Sequence, residues 1–507
     1  MLQSIYVSGL KKWFFFRCTF VGSKGKTAYP ILDAEKKGTY VAVSEEGPSS
    51  ENYEWRFVDN ETSCNMFRDM AYNEKTNTLF AVSETVINEI YQVVVFSSKD
   101  EGKTWKKRIL PAMPTQKVVH PHKGMRWQNH CCEATIETRA DGSIYVLCRT
   151  SYNHHYEYES FDDGETWIGP KKSPFHATLT MPLVKKLTTG EWICCWCNTQ
   201  PIPEFNHEEQ TPPLSVDEKR GRWEDYFTNR DANHIAISMD EGKTWQGFRE
   251  MGLSAIRNES DYRSRGGTDA VLDKSVHQFE LVELPYDKLL IGYGQSESSA
   301  RLIILDKKWI TETSRKEDFR FGLKNLTTHL FVKSNPGGFK GFSGHCSFNR
   351  THGALLMPDP DMNFEETLFI SMVNDSRLLS NRQGAVWNFP AGKSGRVCVR
   401  LRNDGDGVAL TLTDRWFNAF DVEVLNDGQV VYKVNRENTP TGVWCDYELI
   451  WKNEEFEVYR DGALQSKGLF AHSAENGLSY LHILSLAERE DFEGTYIKYL
   501  EKGELKK

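Results

Sequence analysis

Histidine and cysteine side chains, the residue types that bind transition metals, are concentrated in two stretches of the chain. The first contains His120, His122 and His130 and continues into Cys131-Cys132, and the second is Cys194-Cys195-Trp196-Cys197. No spacing among them matches a known zinc-ligand pattern. Both cysteine runs lie in strand-like sequence, where neighbouring side chains point to opposite faces, so we expect buried, reduced cysteines. The sequence therefore predicts no metal site and no cofactor.

A second pattern, Ser-x-Asp-x-Gly-x-Thr-Trp, occurs three times. Its copies are Ser98–Trp105, Ser160–Trp167 and Ser238–Trp245, and each follows a β-rich run. Asp and Ser side chains can hydrogen-bond the backbone of a tight turn, Gly adopts a positive φ, and Trp packs beneath the hairpin. The pattern predicts three hairpin turns that build the fold and perform no chemistry.

These turns resemble the Asp-box of the sialidase superfamily and of related β-propellers. Their spacing fits propeller blades with long loops. The resemblance implies an all-β fold, in which a six-bladed β-propeller is followed by an antiparallel β-sandwich of the jelly-roll or laminin-G-like type. Residues 15–372 can be divided into six β-rich units, in agreement with that blade number.

The texture of the sequence changes after Asn374. Alternating strand-like runs such as Val397–Leu401, Val408–Leu412 and Phe456–Gly462 are joined by polar turns. Their order resembles that of laminin-G and concanavalin-like sandwiches. We therefore expect a propeller over residues 1–372 and a sandwich over residues 373–507. The sandwich either binds sugar or supports the propeller, and the lack of a ligand constellation in its sequence favours support.

The resemblance also implies a mechanism. Sialidases use a tyrosine nucleophile activated by a glutamate, because a carboxylate nucleophile would be repelled by the carboxylate of the sugar. Arginines hold that sugar carboxylate, since their planar fork matches it bidentately. The segment from Cys132 to Arg149, followed by the second Asp-box, resembles the part of the family that carries the glutamate and the second arginine. Glu133 and Arg149 are therefore expected in these roles.

Three further residues follow from the same resemblance. Arg230 lies about one strand before the third Asp-box, at the place of the family's third arginine. Tyr293 ends the run Leu289–Tyr293 and is the candidate nucleophile, although Gly294-Gln295 follows it where the family has a glutamate. His277 is expected to face the same cavity from the neighbouring strand.

The first unit departs from the family pattern. Its opening, Tyr29-Pro30, puts Ala28 where the first arginine belongs. Arg68, which stands in the second unit, is expected to reach the centre and to replace the missing charge. The general acid is left unassigned, since four glutamates stand in the relevant loop: Glu45, Glu46, Glu51 and Glu54.

Charge and hydropathy limit the partners. A formal net charge of −9 and a pI near 5.9 argue against nucleic acid or an anionic membrane as a partner. No apolar run approaches the roughly 18 residues needed to span a bilayer. The start of the chain lacks a signal-peptide pattern, so we expect a cytoplasmic protein, or an exported one if the N-terminus is truncated.

These observations predict a sialidase-like exo-glycoside hydrolase that acts on a terminal, anionic sugar of a glycan. In this reading Tyr293 attacks, Glu133 activates it, and arginines orient the substrate. Two alternatives stay open. A non-catalytic carbohydrate-binding propeller would need no Tyr–Glu pair, and a polysaccharide lyase on the same scaffold would use His277 or Tyr293 as a base. The sugar, the linkage and the oligomeric state are not determined by the sequence.

Overall fold

The computed structural model describes residues 4–18, 39–47, 52–59, 67–88, 90–114, 117, 119–120, 131–178, 180–200, 232–251, 276–294, 300–328, 330–331, 348–349, 354–362, 364–374 and 382–505. Within these ranges the regular structure is almost entirely β-strand, which confirms the predicted all-β class. In this part of the chain no helix is long and apolar enough to cross a membrane.

The chain divides into two compact units. The first comprises Met1–Lys117, Gln128–Phe175 and Leu179–Lys186. The second comprises Val118–Trp127, His176–Thr178 and Leu187–Lys507.

The first unit contains three antiparallel sheets, in each of which every strand pairs with the next one along the chain. The first sheet is β1 (Ser4–Val7), β2 (Lys12–Cys18), β3 (Thr39–Ser44) and β4 (Glu54–Asp59). The second is β5 (Asp69–Asn73), β6 (Thr78–Ile87), β7 (Ile90–Ser98) and β8 (Lys106–Ile109). The third is β9 (Cys132–Thr138), β10 (Ile144–Arg149), β11 (His154–Ser160) and β12 (Ile168–His176). Four-stranded meanders of this kind are the blades of β-propellers.

Strand β6 shows why these sheets lie side by side. Its run Leu79-Phe80-Ala81-Val82 is apolar at every position, and all four side chains are buried. Leu79 and Ala81 join a core cluster with the first sheet, whereas Phe80 and Val82 join one with the third. Because side chains alternate between the faces of a strand, a continuous apolar run lets one sheet bury both faces.

The three Asp-boxes form the predicted turns. In each, the Ser hydroxyl donates to the Asp carboxylate and accepts the Gly N–H, at 2.8 or 2.9 Å. The backbone N–H of the Thr donates to the same carboxylate at 2.8 Å and its hydroxyl donates at 2.6 Å. The glycines Gly102, Gly164 and Gly242 have φ of 79°, 80° and 83°. These contacts confirm the structural role that was predicted for the motif.

The second unit begins with two further antiparallel sheets, after a short strand of the first unit, β13 (Leu183–Lys186). One sheet contains β14 (Trp192–Trp196), β15 (His234–Ser238) and β16 (Gln246–Glu250). The other contains β17 (Glu280–Leu284), β18 (Lys288–Tyr293) and β19 (Arg301–Asp306), and the helix α1 (Lys307–Ile310) follows it. The number of six blades stays a prediction.

The remaining strands of the second unit form the two sheets of a β-sandwich and a separate two-stranded sheet, in which Leu330–Phe331 pairs with Phe348–Asn349. They are β20 (Arg315–Glu317), β21 (Leu326–Thr327), β22 (Leu330–Phe331), β23 (Phe348–Asn349), β24 (Leu355–Pro358), β25 (Glu366–Met372), β26 (Gly384–Gly392), β27 (Ser394–Asn403), β28 (Val408–Thr413), β29 (Val430–Val434), β30 (Trp444–Lys452), β31 (Glu455–Arg460), β32 (Ala463–Leu469), β33 (Leu478–Ser485) and β34 (Asp491–Gly503). The helix α2 (Val424–Asp427) lies between β28 and β29.

Two sheets of this region pack face to face. The larger has the order β24-β25-β34-β27-β30-β31-β32, with β20 also on β34, and the smaller has the order β21-β26-β33-β28-β29. One apolar core joins them, with Val399 and Leu401 of the larger sheet in the same cluster as Leu410 and Ile483 of the smaller. Strands β24 and β25 precede residue 372 yet pair into the larger sheet through β34. The division at residue 372 stays a prediction, and strands from both sides of it share this sheet.

Candidate functional site

Two arginines of the first unit meet on a single carboxylate. The Nη2 atom of Arg68 contacts Oε1 of Glu133, and the Nη1 atom of Arg149 contacts Oε2 of the same side chain. Both arginines are about nine-tenths buried, each with a relative exposure of 8%. The structure thus brings together three of the residues that the sequence singled out, from two neighbouring sheets.

The local backbone explains how Glu133 reaches this position. It stands second in β9, where the register against β10 shifts between Leu147 and Arg149, so β9 carries one extra residue. At this bulge Glu133 adopts a φ of +40°, in the left-handed region that non-glycine residues rarely occupy. A bulge re-aims a side chain, and it turns the Glu133 carboxylate toward both guanidinium groups.

Arg68 is held by the second sheet. It directly precedes β5, and its backbone N–H donates to the carbonyl oxygen of Val82 at 3.0 Å. From this position its guanidinium reaches Glu133, which Arg149 also contacts. Its role in binding substrate stays a prediction.

A fourth charged residue, Glu84 of β6, completes the cluster and was not assigned a role from the sequence. Its Oε2 atom accepts the backbone N–H of Glu133 at 2.8 Å, and its Oε1 atom lies 3.6 Å from Nη2 of Arg68. The only sequence signal was its place at the end of the buried run of β6, because its contact with residue 133 is distant in sequence. We refer to Arg68, Glu84, Glu133 and Arg149 as the arginine–glutamate cluster.

Burial and charge act in opposite directions in this cluster. Burial and the nearby Glu133 raise the pKa of Glu84, while Arg68 opposes the rise. Burial by itself would lower the pKa of Arg149, but the contact with Glu133 outweighs it and raises that pKa. Burial also raises the pKa of the neighbouring Cys132 thiol well above its usual value, so this cysteine is held as a thiol.

The two guanidinium groups have unused hydrogen-bonding capacity. Among the described residues, the buried Nε atoms of Arg68 and Arg149 have no hydrogen-bond partner. A guanidinium is a planar fork of five N–H donors that matches carboxylates and phosphates bidentately. Chemically the cluster is therefore an anion-binding arrangement in which an internal carboxylate, Glu133, occupies the anion position.

Tyr293 and His277 belong to the second unit. Tyr293 ends β18 opposite Arg301 of β19, and it is buried. The backbone N–H of Gly294 donates to the carbonyl oxygen of His277 at 2.9 Å, so Tyr293 and His277 lie at the same end of one sheet. That His277 faces the same cavity as Tyr293, and that Tyr293 pairs with Glu133, both stay predictions.

Several predicted positions lie outside the described residues: Ala28, Glu51, Arg230 and Gln295. Of the possible general acids, Glu45, Glu46 and Glu54 are exposed, and Glu54 forms an ion pair of 2.7 Å with Arg56. No general acid is assigned from these contacts.

The structure describes part of the two stretches that contain histidine and cysteine. The cysteines there form no disulfide, and those of both runs are buried, as expected. The exposed His120 lies 3.2 Å from Asp427 and 3.4 Å from Glu423. Within the described ranges no group of three or more His, Cys, Asp or Glu side chains is placed to hold a metal ion.

Part of the chain matches a known protein family. The family described as BNR repeat-like domain matches residues 67–262, which contain all three Asp-boxes. No curated protein matches the chain.

Solved structures give weaker likenesses. A sialidase from Trypanosoma rangeli is 12% identical with a TM-score of 0.34, over 100% of this chain and 82% of that one. The same sialidase in complex with 2,3-difluorosialic acid gives 11% identity and a TM-score of 0.35, over 100% and 91%. A β-fructofuranosidase from Schwanniomyces occidentalis is 10% identical with a TM-score of 0.28, over 100% of this chain and 96% of that one. Values this low carry no information about activity.

The family match and the turn geometry agree on the same residues. The three turns carry the hydrogen bonds that the motif predicts, and all of them fall inside the matched segment. Residues 67–262 therefore match the family of BNR repeat-like domains, and the three turns within them have the hydrogen bonding expected of that repeat.

Proposed function

We propose that the chain is a sialidase-like exo-glycoside hydrolase, which acts on a terminal sugar of a glycan that carries a carboxylate. The observation that supports this most directly is the convergence of Arg68 and Arg149 on the Glu133 carboxylate. A pair of buried guanidinium groups is the recognition chemistry for a planar anion. In this proposal the sugar carboxylate takes over one or both of these arginines.

The catalytic step follows from the release of Glu133. While both arginines contact it, its negative charge is stabilised and it is a weak base. When a substrate carboxylate draws an arginine away, Glu133 becomes more basic and can accept the proton of the attacking tyrosine, for which Tyr293 is the candidate. Arg230 is proposed as a third contact to the substrate.

A non-catalytic carbohydrate-binding propeller is the second candidate. It is favoured by the same contacts, because both oxygens of Glu133 already have arginine partners. Such a protein would bind the anionic sugar through the arginines and would leave the glycosidic bond intact.

The test is hydrolysis of fluorogenic glycosides, namely a sialoside, a glucuronide and a neutral galactoside. We expect release of the fluorophore from an anionic glycoside and a loss of at least about 100-fold in kcat for Glu133→Gln, the usual contribution of a general base. Glu157→Gln is the matched control, since Glu157 is a buried carboxylate on β11 of the same sheet that pairs with Tyr145 and Lys171. Its kcat should match the wild type.

Each other outcome selects an alternative. Equal activity of wild type and Glu133→Gln would contradict the proposed mechanism. Binding of the sugars without hydrolysis would support the binding propeller. Cleavage of a uronide polymer to an unsaturated product would support a lyase.

A further inference from the structure

Glu84 is the member of the arginine–glutamate cluster for which the proposed mechanism has no use. It is 4% exposed, it accepts the backbone N–H of Glu133 at 2.8 Å, and it lies 3.6 Å from Arg68. Burial of a carboxyl has a desolvation cost that an apolar residue in the same space would not have. We therefore expect Glu84 to have a function in the cluster.

We propose that Glu84 is a positioning residue that holds Glu133 between the two arginines, and that it takes up one proton when a sugar carboxylate binds to them. The inference rests on the proposed function for its ligand, a carboxylate-bearing sugar. It adds a residue and a proton to that function.

The positioning step depends on the backbone of Glu133. Glu133 has a φ of +40° and lies in the bulge of β9, between the register pairs Arg149–Cys132 and Leu147–Thr135. Glu84 supplies an acceptor for its backbone N–H from the neighbouring sheet. Without this acceptor the N–H of Glu133 would lose this hydrogen bond, and the strained conformation would lose a contact that stabilises it.

The proton step depends on a count of charges. Arg68 and Arg149 carry two positive charges, and Glu84 and Glu133 carry two negative ones when both are ionised. A sugar carboxylate adds a third negative charge to a buried site, and an uncompensated buried charge is strongly unfavourable. A proton from solvent that binds to Oε1 of Glu84 restores neutrality, while Oε2 continues to accept the N–H of Glu133.

The surroundings decide which carboxyl takes the proton. The charged and titratable groups that act on Glu84 are Arg68, Glu133 and Arg149, and Glu84 in turn acts on Cys132 and Tyr91. Burial and Glu133 favour its neutral form. Glu133 is contacted directly by both arginines, whereas Glu84 only approaches one of them. Glu84 is therefore the carboxyl that is neutralised.

The first experiment is calorimetric titration with N-acetylneuraminate and with glucuronate as probes, from pH 5 to pH 8, in buffers of different ionisation enthalpy. For the wild type we expect uptake of up to one proton per bound probe, and an affinity that falls by up to about tenfold per pH unit once Glu84 is ionised in the free protein. For Glu84→Gln we expect no proton uptake and an affinity that changes less than twofold over the range.

The control is again Glu157→Gln, which should titrate like the wild type. An equal proton uptake in wild type and Glu84→Gln would overturn the proton step. If neither probe binds to the wild type at any pH, the proposed anionic substrate fails and the proton step fails with it.

A second experiment tests the positioning step without any ligand. Hydrogen–deuterium exchange of the peptide that contains Glu133 should be faster in Glu84→Ala than in the wild type by at least tenfold, and near the wild-type rate in Glu84→Gln, whose amide oxygen can still accept the N–H. Unchanged exchange in Glu84→Ala would overturn the positioning role, whatever the result with the probes.

Discussion

The geometry of the arginine–glutamate cluster depends on guanidinium forks rather than on positive charge alone. Each arginine uses a terminal nitrogen on a different oxygen of Glu133. A lysine ammonium is a compact point charge that cannot reproduce this planar arrangement. Substitutions that keep the charge but remove the fork therefore separate recognition from simple electrostatics.

We predict that Arg149→Lys raises KM for the anionic glycoside at least about tenfold, since hydrogen bonds to charged groups contribute about 1.5–3 kcal/mol. Arg139→Lys is the matched control, because Arg139 is a buried arginine of the third sheet whose ion pair of 2.7 Å is with Glu159. Steady-state kinetics of both variants give the answer. Equal changes in KM would show that Arg149 acts only through the stability of the sheet.

A second carboxyl, Glu137, predicts a pH dependence of stability. It stands on β9, four residues after Glu133, and its carboxylate accepts the N–H of Lys186 at 2.9 Å. Burial, opposed by the nearby Lys185, raises the pKa of Glu137 from 4.5 to about 7. Because the pKa is higher in the folded state, the stability that the neutral carboxyl contributes is present below about pH 4.5 and is lost as the pH rises through about 7.

We therefore expect Glu137→Gln to gain stability relative to the wild type between pH 5 and pH 8. The relative change in unfolding free energy should approach about 3 kcal/mol at most, the equivalent of this shift in pKa. Gln keeps the acceptor for Lys186. Urea unfolding of both proteins at several pH values measures this difference in unfolding free energy. Parallel pH profiles of the two proteins would contradict the raised pKa of Glu137.

At the scale of elements, the Asp-box turns connect consecutive strands, and the first two also contact the preceding sheet through Gly102 and Gly164. Gly164 of the second box has a φ of +80°, and a Cβ atom there would lie 2.9 Å from the ring of Phe80 in β6. The glycine is thus required both by its backbone conformation and by the close approach of an aromatic side chain.

Gly164→Ala should destabilise the protein more than the same change at Gly462. Gly462 has the same φ of +80° in the hairpin between β31 and β32, but a Cβ atom there meets nothing within 4 Å. We expect about 1 kcal/mol for Gly462→Ala from backbone strain, and a further 1–3 kcal/mol, roughly, for Gly164→Ala from overpacking. Thermal unfolding measures the stability that each variant loses. Equal losses would show that the Phe80 side chain moves aside without a cost in energy.

At the largest scale, the second unit is held together by polar contacts that no strand pairing supplies. Asn388 of β26 accepts the N–H of Glu250 at 3.0 Å and donates to the carbonyl oxygens of Phe248 and Ser479 at 3.2 and 3.1 Å. Tyr480 of β33 donates to Glu250 at 2.9 Å and also contacts His234 of β15. These buried bonds join the sheet β14–β16 to the sandwich.

Asn388→Ala should leave three buried backbone groups without this partner, at a cost of about 3 kcal/mol or more. We expect a lower melting temperature and, in calorimetry, a separation of the unfolding of β14–β16 from that of the sandwich. Asn426→Ala is the control, because Asn426 is exposed and its side chain donates to Glu423, while its contact with His472 uses the backbone carbonyl and survives the substitution. A single unfolding transition of Asn388→Ala at the wild-type temperature would show that the bonds of Asn388 do not hold the sheet β14–β16 to the sandwich.

The predictions from sequence succeeded where the deciding contacts are local. The hydrogen bonds of each Asp-box close within eight residues, so its pattern is legible in the sequence. Glu133 and Arg149 were singled out from one segment of a single sheet, where they contact each other, and their roles stay predictions. The acceptor for the Glu133 N–H is 49 residues away in Glu84, and Asn388 reaches back 138 residues to Glu250. Such pairs form only when sheets pack together, and no local sequence pattern predicts them.

The self-contained hydrogen bonding of the Asp-box has a consequence for how such a chain can grow. A turn whose Ser, Asp, Gly and Thr bond to one another can rest on an apolar surface of the neighbouring sheet, such as Phe14 and Val41 beside Gly102 or Phe80 beside Gly164, with added polar contacts such as Thr78 to Asp163. A gene segment that encodes one sheet with its turn can therefore be duplicated in tandem, and the copy has a ready place to dock. Insertions such as the long segment between β14 and β15 can also accumulate between two strands of one copy, outside the eight residues of its turn.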